Sequence, residues 1–248
     1  MTEERGQLYK MRDKHPRFET LDTDYGVLIG ARRNAEEDSY YWRITQFLMP
    51  FHTIIPPYGK DPVFSGHAWV PMDDESTMAL CFSYHPTRRL AERELSMLRE
   101  GRKGEEGLHP TVNAFVAPRL VPGDDDWRMR LNMGNDYEVD WMAQRVTRFS
   151  GLPGIWPQDG AMQEGMGAIY DRTQEHLGAS DTGIIRMRRR LIRAAKALRD
   201  EGIAPRGVTA AEEYRVRSAA LVLPRETPWV AGSAPFRAIT PGVNYDAA

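Results

Sequence analysis

Cysteine is almost missing from this sequence. Among 248 residues there is one, Cys81, so the chain can build neither an internal disulfide framework nor a cysteine-ligated zinc or iron–sulfur centre. Long apolar runs are missing too. No uninterrupted stretch approaches the ~18 residues a membrane span requires, and the opening MTEERGQLYK lacks the apolar core of a secretory signal. Nor is there an excess of either charge: the net value is −2, which offers nucleic acid no global attraction. These absences predict a cytoplasmic protein that engages neither membrane nor nucleic acid.

Hydrophobic residues make up 41% and charged residues 27%, ordinary for a chain that buries one substantial core. The first half reads as strands. Tyr25 to Arg32 is short and apolar between turn formers. Tyr40 to Leu48 alternates, with Tyr40, Trp42, Ile44 and Leu48 on one face and Tyr41, Arg43 and Thr45 on the other. His52 to Ile55 stops at Pro56. Gly66 to Met72 and Met78 to His85 flank the acidic turn at Asp73 and read as a hairpin. Short turns between strands predict a mostly antiparallel sheet.

A short helix is predicted over Leu90 to Glu100, then a long polar loop through Gly101, Pro110, Pro118 and Asp124 to about Gly134. The last third reads as helical: Tyr137 to Phe149, then Gln158 to Leu177 with a stop at Gly178, then a helix capped by Ser180 or Asp181 and ended by Gly202. In that third helix Ile184, Ile185, Leu191, Ile192, Ala195 and Leu198 form the expected buried stripe. Its arginines at 186, 188, 189, 190 and 193 read first as a solvated face paired with acidic neighbours, and otherwise as a docking surface. One further strand, Ala219 to Leu223, precedes a proline-punctuated end. A sheet followed by long helices is an α+β pattern, which a helix-grip arrangement satisfies among several alternatives.

Asp159 is the first candidate for chemistry. It lies at or just inside a helix start, where a carboxylate is favoured by unpaired N–H groups and the helix dipole. The alternative is a metal-binding carboxylate projecting into an apolar pocket. His176 reads as a helix C-terminal residue interacting with the dipole. His85 and Cys81 share a strand face without further ligands, and Cys81 has no evident activating base.

The run Asn135-Asp136-Tyr137, Asp140, Gln144-Arg145, Phe149, Gly151, Ile155, Gln158-Asp159, Gln163-Glu164, Gly167, Ile169, Asp171-Arg172-Thr173, Glu175-His176-Leu177-Gly178, Ser180-Asp181 and Arg188-Arg189 is similar to the C-terminal part of the phthalate 4,5-dioxygenase-like Rieske oxygenases. That group includes aromatic O-demethylases such as the dehydrodivanillate enzyme. Earlier pieces agree: Arg12-Asp13, Pro16-Arg17-Phe18, Asp22-Thr23-Asp24-Tyr25-Gly26 and Trp69-Val70-Pro71-Met72-Asp73-Asp74-Glu75. The likeness runs from about Arg12 to Pro224.

The resemblance implies a helix-grip (Bet v1-like) catalytic domain with one non-haem Fe(II), held by two histidines and a carboxylate. It also implies a separate N-terminal domain with a 2Fe-2S cluster on two cysteines and two histidines. The carboxylate position falls on Asp159. The implied activity is ring hydroxylation or aromatic O-demethylation with O2 and electrons from an NAD(P)H-dependent reductase. The implied assembly is a homo-oligomer, a trimer in many members. Residues 1–204 are expected to form a partial catalytic domain and 205–248 an extension packing on it. Phe47, Phe51, Trp69, Met162 and Met166 are candidates to line a pocket for an aromatic substrate; the alternative for the methionines is core filling. Arg12, Arg17 or Arg43 could hold a substrate carboxylate, with pairing to Asp22, Asp24 or Glu19 the commoner fate.

The departures are as informative. The cluster needs two cysteines. The family's iron-binding histidines are separated by four residues, whereas the six here, His15, His52, His67, His85, His109 and His176, show no such spacing. Both ligands are expected to fall upstream of Met1. The expectation is therefore a chain inactive alone, needing a Rieske region from a longer product or companion chain. The alternatives are a metal-free helix-grip module that binds an aromatic ligand, and a structural or decayed subunit.

Overall fold

A computed structural model describes residues 3–57, 62–100, 128–152 and 154–239. The predicted polar loop between 101 and 127, with His109, lies outside the described residues. The chain divides into two compact units. One comprises Met1–Val70, Phe82–Leu90 and His176–Ala248; the other comprises Pro71–Cys81 and Ala91–Glu175.

The first unit is built on an antiparallel sheet. Strands β1 (Arg17–Asp22), β2 (Gly26–Asn34), β3 (Ser39–Leu48), β4 (His52–Ile55) and β5 (Phe64–Pro71) neighbour one another in sequence order, and β7 (Ala219–Pro224) pairs with β3; most of a further strand, β6 (Thr77–Tyr84), is counted with the second unit. β3 is the centre of this arrangement. One edge pairs with β2 along its whole length, from Asn34↔Tyr40 to Gly26↔Leu48. The opposite edge is divided: Ser39–Ile44 faces β7 and Gln46–Leu48 faces β4. Both edges of β3 are consequently paired, and Tyr41 and Trp42, on opposite faces, are both buried. The strand predicted to be half-buried is buried on both faces over most of its length, with Tyr40, Arg43 and Thr45 partly covered, because helices pack on both sides.

On one face, Val27, Phe47 and Met49 pack with Ile29 against Met187, Leu191 and Ala194. These last three belong to a long helix, Thr182–Glu201. It ends where Gly202 turns left-handed, φ 69°, as expected of a glycine stop. Its arginines tie it to β1. Arg186 and Arg193 both reach Asp22, at 2.9 and 3.0 Å, and Arg190 donates to the Thr23 carbonyl at 2.8 Å. The face predicted to pair with acidic neighbours does so. The buried stripe, however, is rotated from the expected one: Ile184, Ile192 and Leu198 are exposed, because those ion pairs turn Met187, Leu191 and Ala194 onto the sheet.

The other face carries Leu28, Trp42 and Ile44 with Ala219, Leu221 and Leu223 of β7, covered by Trp229. Trp229 opens a helix, Trp229–Arg237, that the sequence reading missed because Pro235 lies inside it. Its ring stacks on Trp42 at 5.1 Å. Gly30 lies beneath both rings; a Cβ there would approach them to 3.0 and 3.1 Å. A sheet gripping a long helix, with further helices, is the α+β helix-grip class expected.

An amino-terminal helix, Glu3–Arg12, docks on this unit through Tyr9, whose ring lies 5.3 Å from Tyr41. Arg5 pairs with Glu36 at 2.6 Å, and the Tyr9 hydroxyl donates to the same carboxylate. Hydrogen bonds from Arg5 and Tyr9, outweighing the opposing effect of burial, pull the Glu36 pKa down to about 2.

In the second unit, the helix expected over Tyr137 to Phe149 is split. A 3-10 turn covers Met133–Glu138, and a short helix, Trp141–Val146, starts at Asp140, whose carboxylate accepts from the Met142 and Ala143 N–H groups. The next helix runs Ile155–Glu164. It stops at Gly165, not at Leu177, and His176 lies in an exposed loop, not at a helix end.

Candidate functional site

The candidate residues fall into one group on the sheet and another on the Ile155–Glu164 helix. On the sheet, the register aligns Val27, Phe47, Thr53 and His67 across β2, β3, β4 and β5. Strand alternation therefore puts these side chains on one face, with Trp69 two residues further along β5. The Trp69 indole donates to the Thr53 hydroxyl at 3.0 Å, its backbone N–H donates to the Phe51 carbonyl at 2.9 Å, and its ring lies 4.9 Å from that of His67. Three of the predicted pocket residues, Phe47, Phe51 and Trp69, are thus brought to one stretch of sheet. Their environments differ. Phe47 is 2% exposed and packed by the long helix, whereas Phe51 and Trp69 are half-buried.

His67 joins this group without having been singled out. It is buried, and burial pushes its imidazole pKa down, so it stands neutral at pH 7. The period-two pattern of Phe64–Pro71 is the signal that places it on this face; the spacing between histidines carries none. Of the arginines considered for a substrate carboxylate, Arg43 donates to the Pro56 carbonyl at 3.1 Å. Arg12 and Arg17 are exposed. Asp22 and Asp24 are engaged by other cations, the latter by Arg206 at 3.2 Å.

The second group is on the helix of the second unit. Its cap is Gly154, which offers no side chain to the free N–H groups, so Asp159, five residues in, is not a capping carboxylate. Trp156 and Gly160 are buried and Glu164 is half-buried, a spacing of four that defines the inward face. Asp159 and Met162 share the outward face, and Met166 follows just beyond the helix end; all three are exposed. Among the described residues nothing hydrogen-bonds the Asp159 carboxylate. Although the residue as a whole is exposed, desolvation by its surroundings raises its pKa.

The inward face rests on an unusual turn. Asp136, Tyr137 and Glu138 have consecutive φ values of 49°, 54° and 50°. The Tyr137 ring is buried, and its hydroxyl donates to the Glu164 carboxylate and, at 3.5 Å, to the Gly160 carbonyl. Burial first and the Glu164 carboxylate second raise the phenol pKa. Glu164 also accepts from the Met133 N–H at 3.3 Å.

Among the described residues no three His, Cys, Asp or Glu side chains converge on a possible metal position. Asp159 could serve as one ligand; the described residues do not supply the others. Cys81 is half-buried with its thiol pKa raised by burial, the reverse of an activated nucleophile. No helix among the described residues is long and apolar enough to cross a membrane.

Residues 113–244 match the family model described as LigXa C-terminal domain like. The oxygenase subunit of 3-chlorobenzoate-3,4-dioxygenase from Comamonas testosteroni is 34% identical over 220 residues, 86% of this chain and 49% of that protein. The oxygenase subunit of phthalate 4,5-dioxygenase from Pseudomonas putida is 31% identical over 189 residues, 75% of this chain and 39% of that protein. The chain therefore spans less than half the length of these relatives.

Proposed function

The chain belongs to the LigXa C-terminal domain-like family and is a relative of the Rieske oxygenase catalytic domain, and from that premise we propose that it is the substrate-facing part of an aromatic-ring oxygenase. It acts only together with polypeptide that carries a Rieske cluster and a pair of iron-binding histidines. Its own contribution is one metal-binding carboxylate, Asp159, and an apolar surface for a ring. The observation that carries this reading is the state of Asp159: a helix carboxylate that caps nothing and accepts no hydrogen bond among the described residues. Carboxylates without such partners are common on surfaces; one at the family's ligand position is available for coordination.

The described residues do not complete an iron site, so no chemical step is assigned to this chain alone. The two relatives are named for benzoate-type acids, which supports an aromatic carboxylate as substrate class. Phe51 and Trp69, on the sheet of the first unit, are the residues offered for contact with the ring. Phe47, held by the long helix, supports that surface from below. Residues 205–248 are taken as an extension of the domain, a reading supported by the pairing of β7 with β3.

The test is complementation. The chain is co-produced with the segment encoded upstream, or with a separate Rieske-bearing chain, plus a reductase and NADH. Oxygen uptake is then followed with 3-chlorobenzoate and with phthalate. Uptake dependent on the aromatic acid, lowered more than about a hundredfold by Asp159→Asn, is expected, since loss of even outer-shell partners costs 10- to 100-fold. Full turnover by the Asp159→Asn assembly removes Asp159 from the role.

A second reading is a metal-free module that binds aromatic acids, supported by the half-buried Phe51 and Trp69 on the sheet. Saturable binding of phthalate to the isolated chain in the presence of a chelator, with no turnover in any assembly, supports it.

A further inference from the structure

Three consecutive residues other than glycine with left-handed φ are costly. Each such residue carries a penalty of roughly 1–2 kcal/mol relative to right-handed backbone, and such conformations persist only where surrounding contacts over-determine them. At Asp136–Glu138 that over-determination is explicit. The Asn132 side chain accepts from the Gly134 N–H at 2.8 Å and donates to the Met129 carbonyl at 2.8 Å. The Asn135 side chain accepts from the Asn132 N–H at 3.0 Å and donates to the Arg130 carbonyl at 2.6 Å. The Tyr137 N–H returns to the Asn132 carbonyl at 3.0 Å, and Arg130 pairs with Glu138 at 2.6 Å. Two asparagines and an ion pair therefore hold a backbone that would otherwise relax.

The product of this arrangement is the direction of one side chain. Tyr137 points into the second unit and meets the Ile155–Glu164 helix at the Gly160 carbonyl and the Glu164 carboxylate. Both lie on the inward face, and fixing them sets the rotation of the helix about its axis. That rotation decides whether Asp159 and Met162 face outward. The cap of this helix is a bare glycine and its first turn has no side-chain bond to its free N–H groups; the buried Trp156 anchors the same face near the start, and Tyr137 fixes it near the end.

We propose that Tyr137 and Glu164 are positioning residues: the left-handed turn at 136–138 is a brace that sets the rotation of the Ile155–Glu164 helix and so presents the Asp159 carboxylate. This rests on the assignment of Asp159 as the functional carboxylate only for its purpose. The brace itself is a property of the chain without metal or partner.

The experiment uses the full chain, metal-free, in three variants. Tyr137→Phe and Glu164→Ala remove the bond; Glu164→Gln keeps an acceptor for the phenol. Amide hydrogen exchange is read at residues 158–165. In the first two variants exchange there is expected to quicken about tenfold, as loss of one hydrogen bond to a charged group implies. Glu164→Gln should restore the slow exchange, and protection of β3 should be unaltered throughout. If Tyr137→Phe and Glu164→Ala leave local exchange as in the wild type, the brace is overturned. Loss of β3 protection along with the rest also overturns it, since the contact would then be general packing. In the complemented oxygenase, a fall in kcat at constant KM for Tyr137→Phe is expected. A positive brace result combined with full turnover by Asp159→Asn leaves the brace standing and removes the proposed function. Failure of the brace with inactive Asp159→Asn does the reverse.

Discussion

Replacing Phe47 with alanine decides whether this position is core or cavity wall. The ring is 2% exposed and enclosed by Val27, Met49, Met187, Leu191 and Ala194. Removing a buried phenylalanine forfeits its transfer free energy and leaves a void, together roughly 3–5 kcal/mol. Which end of that range applies depends on whether the walls can close. Val27 and Thr53 flank Phe47 on the two neighbouring strands, held there by backbone ladders, and the long helix is tethered at Asp22 by Arg186 and Arg193. Neither wall is free to collapse, so the upper half, about 4–5 kcal/mol, is expected. Because the chain has two compact units, a single melting curve would mix them. The measurement is native-state hydrogen exchange at the β3 amides, residues 39–48, whose opening free energy should fall by that amount. A fall below about 1 kcal/mol, with that protection recovered when phthalate is added, would mean that the ring borders open space and that the packing argument is wrong.

Two further outcomes follow from the first unit. Glu36 titrates at about 2 in the folded chain against 4.5 for an unperturbed glutamate. Its stabilising contribution is therefore complete above about 4.5 and lost as pH falls through that value toward 2. In Glu36→Gln this acid-dependent loss at the amino-terminal helix should disappear, as read by exchange of the Tyr9 amide between pH 6 and 3. In Gly30→Ala the added methyl meets the Trp42 and Trp229 rings at 3.0 and 3.1 Å. A loss of roughly 1–3 kcal/mol is expected from such overpacking, with a change in tryptophan fluorescence; unchanged stability would mean the stack yields freely.

Much of the sheet was legible in the residues. His52–Ile55 and Ser39–Leu48 were read nearly to their ends because prolines and alternating apolar side chains bound them. β1 was missed: an edge strand of sequence RFETLD alternates only between exposed and half-buried, leaving no apolar run to detect. The helices failed for a different reason. Periodicity across Met162, Met166 and Ile169 suggests continuity, but the helix ends at the Gly165 cap, Gly167 turns left-handed, and all three side chains prove exposed. The family position of Asp159 was visible from resemblance. The brace beneath it was not, since nothing in Asp-Tyr-Glu signals left-handed backbone; only the neighbouring Asn132 and Asn135 side-chain bonds make it tenable.

The divided edge of β3 has a consequence for biosynthesis. Ser39–Ile44 finds its second neighbour in Ala219–Pro224, which leaves the ribosome last among the described strands. Throughout most of translation, half of the central strand stays open as a template for the wrong partner, including another nascent copy. Slow elongation just before residue 219, or early termination there, should therefore divert this protein into aggregates even though every other described strand has already been made.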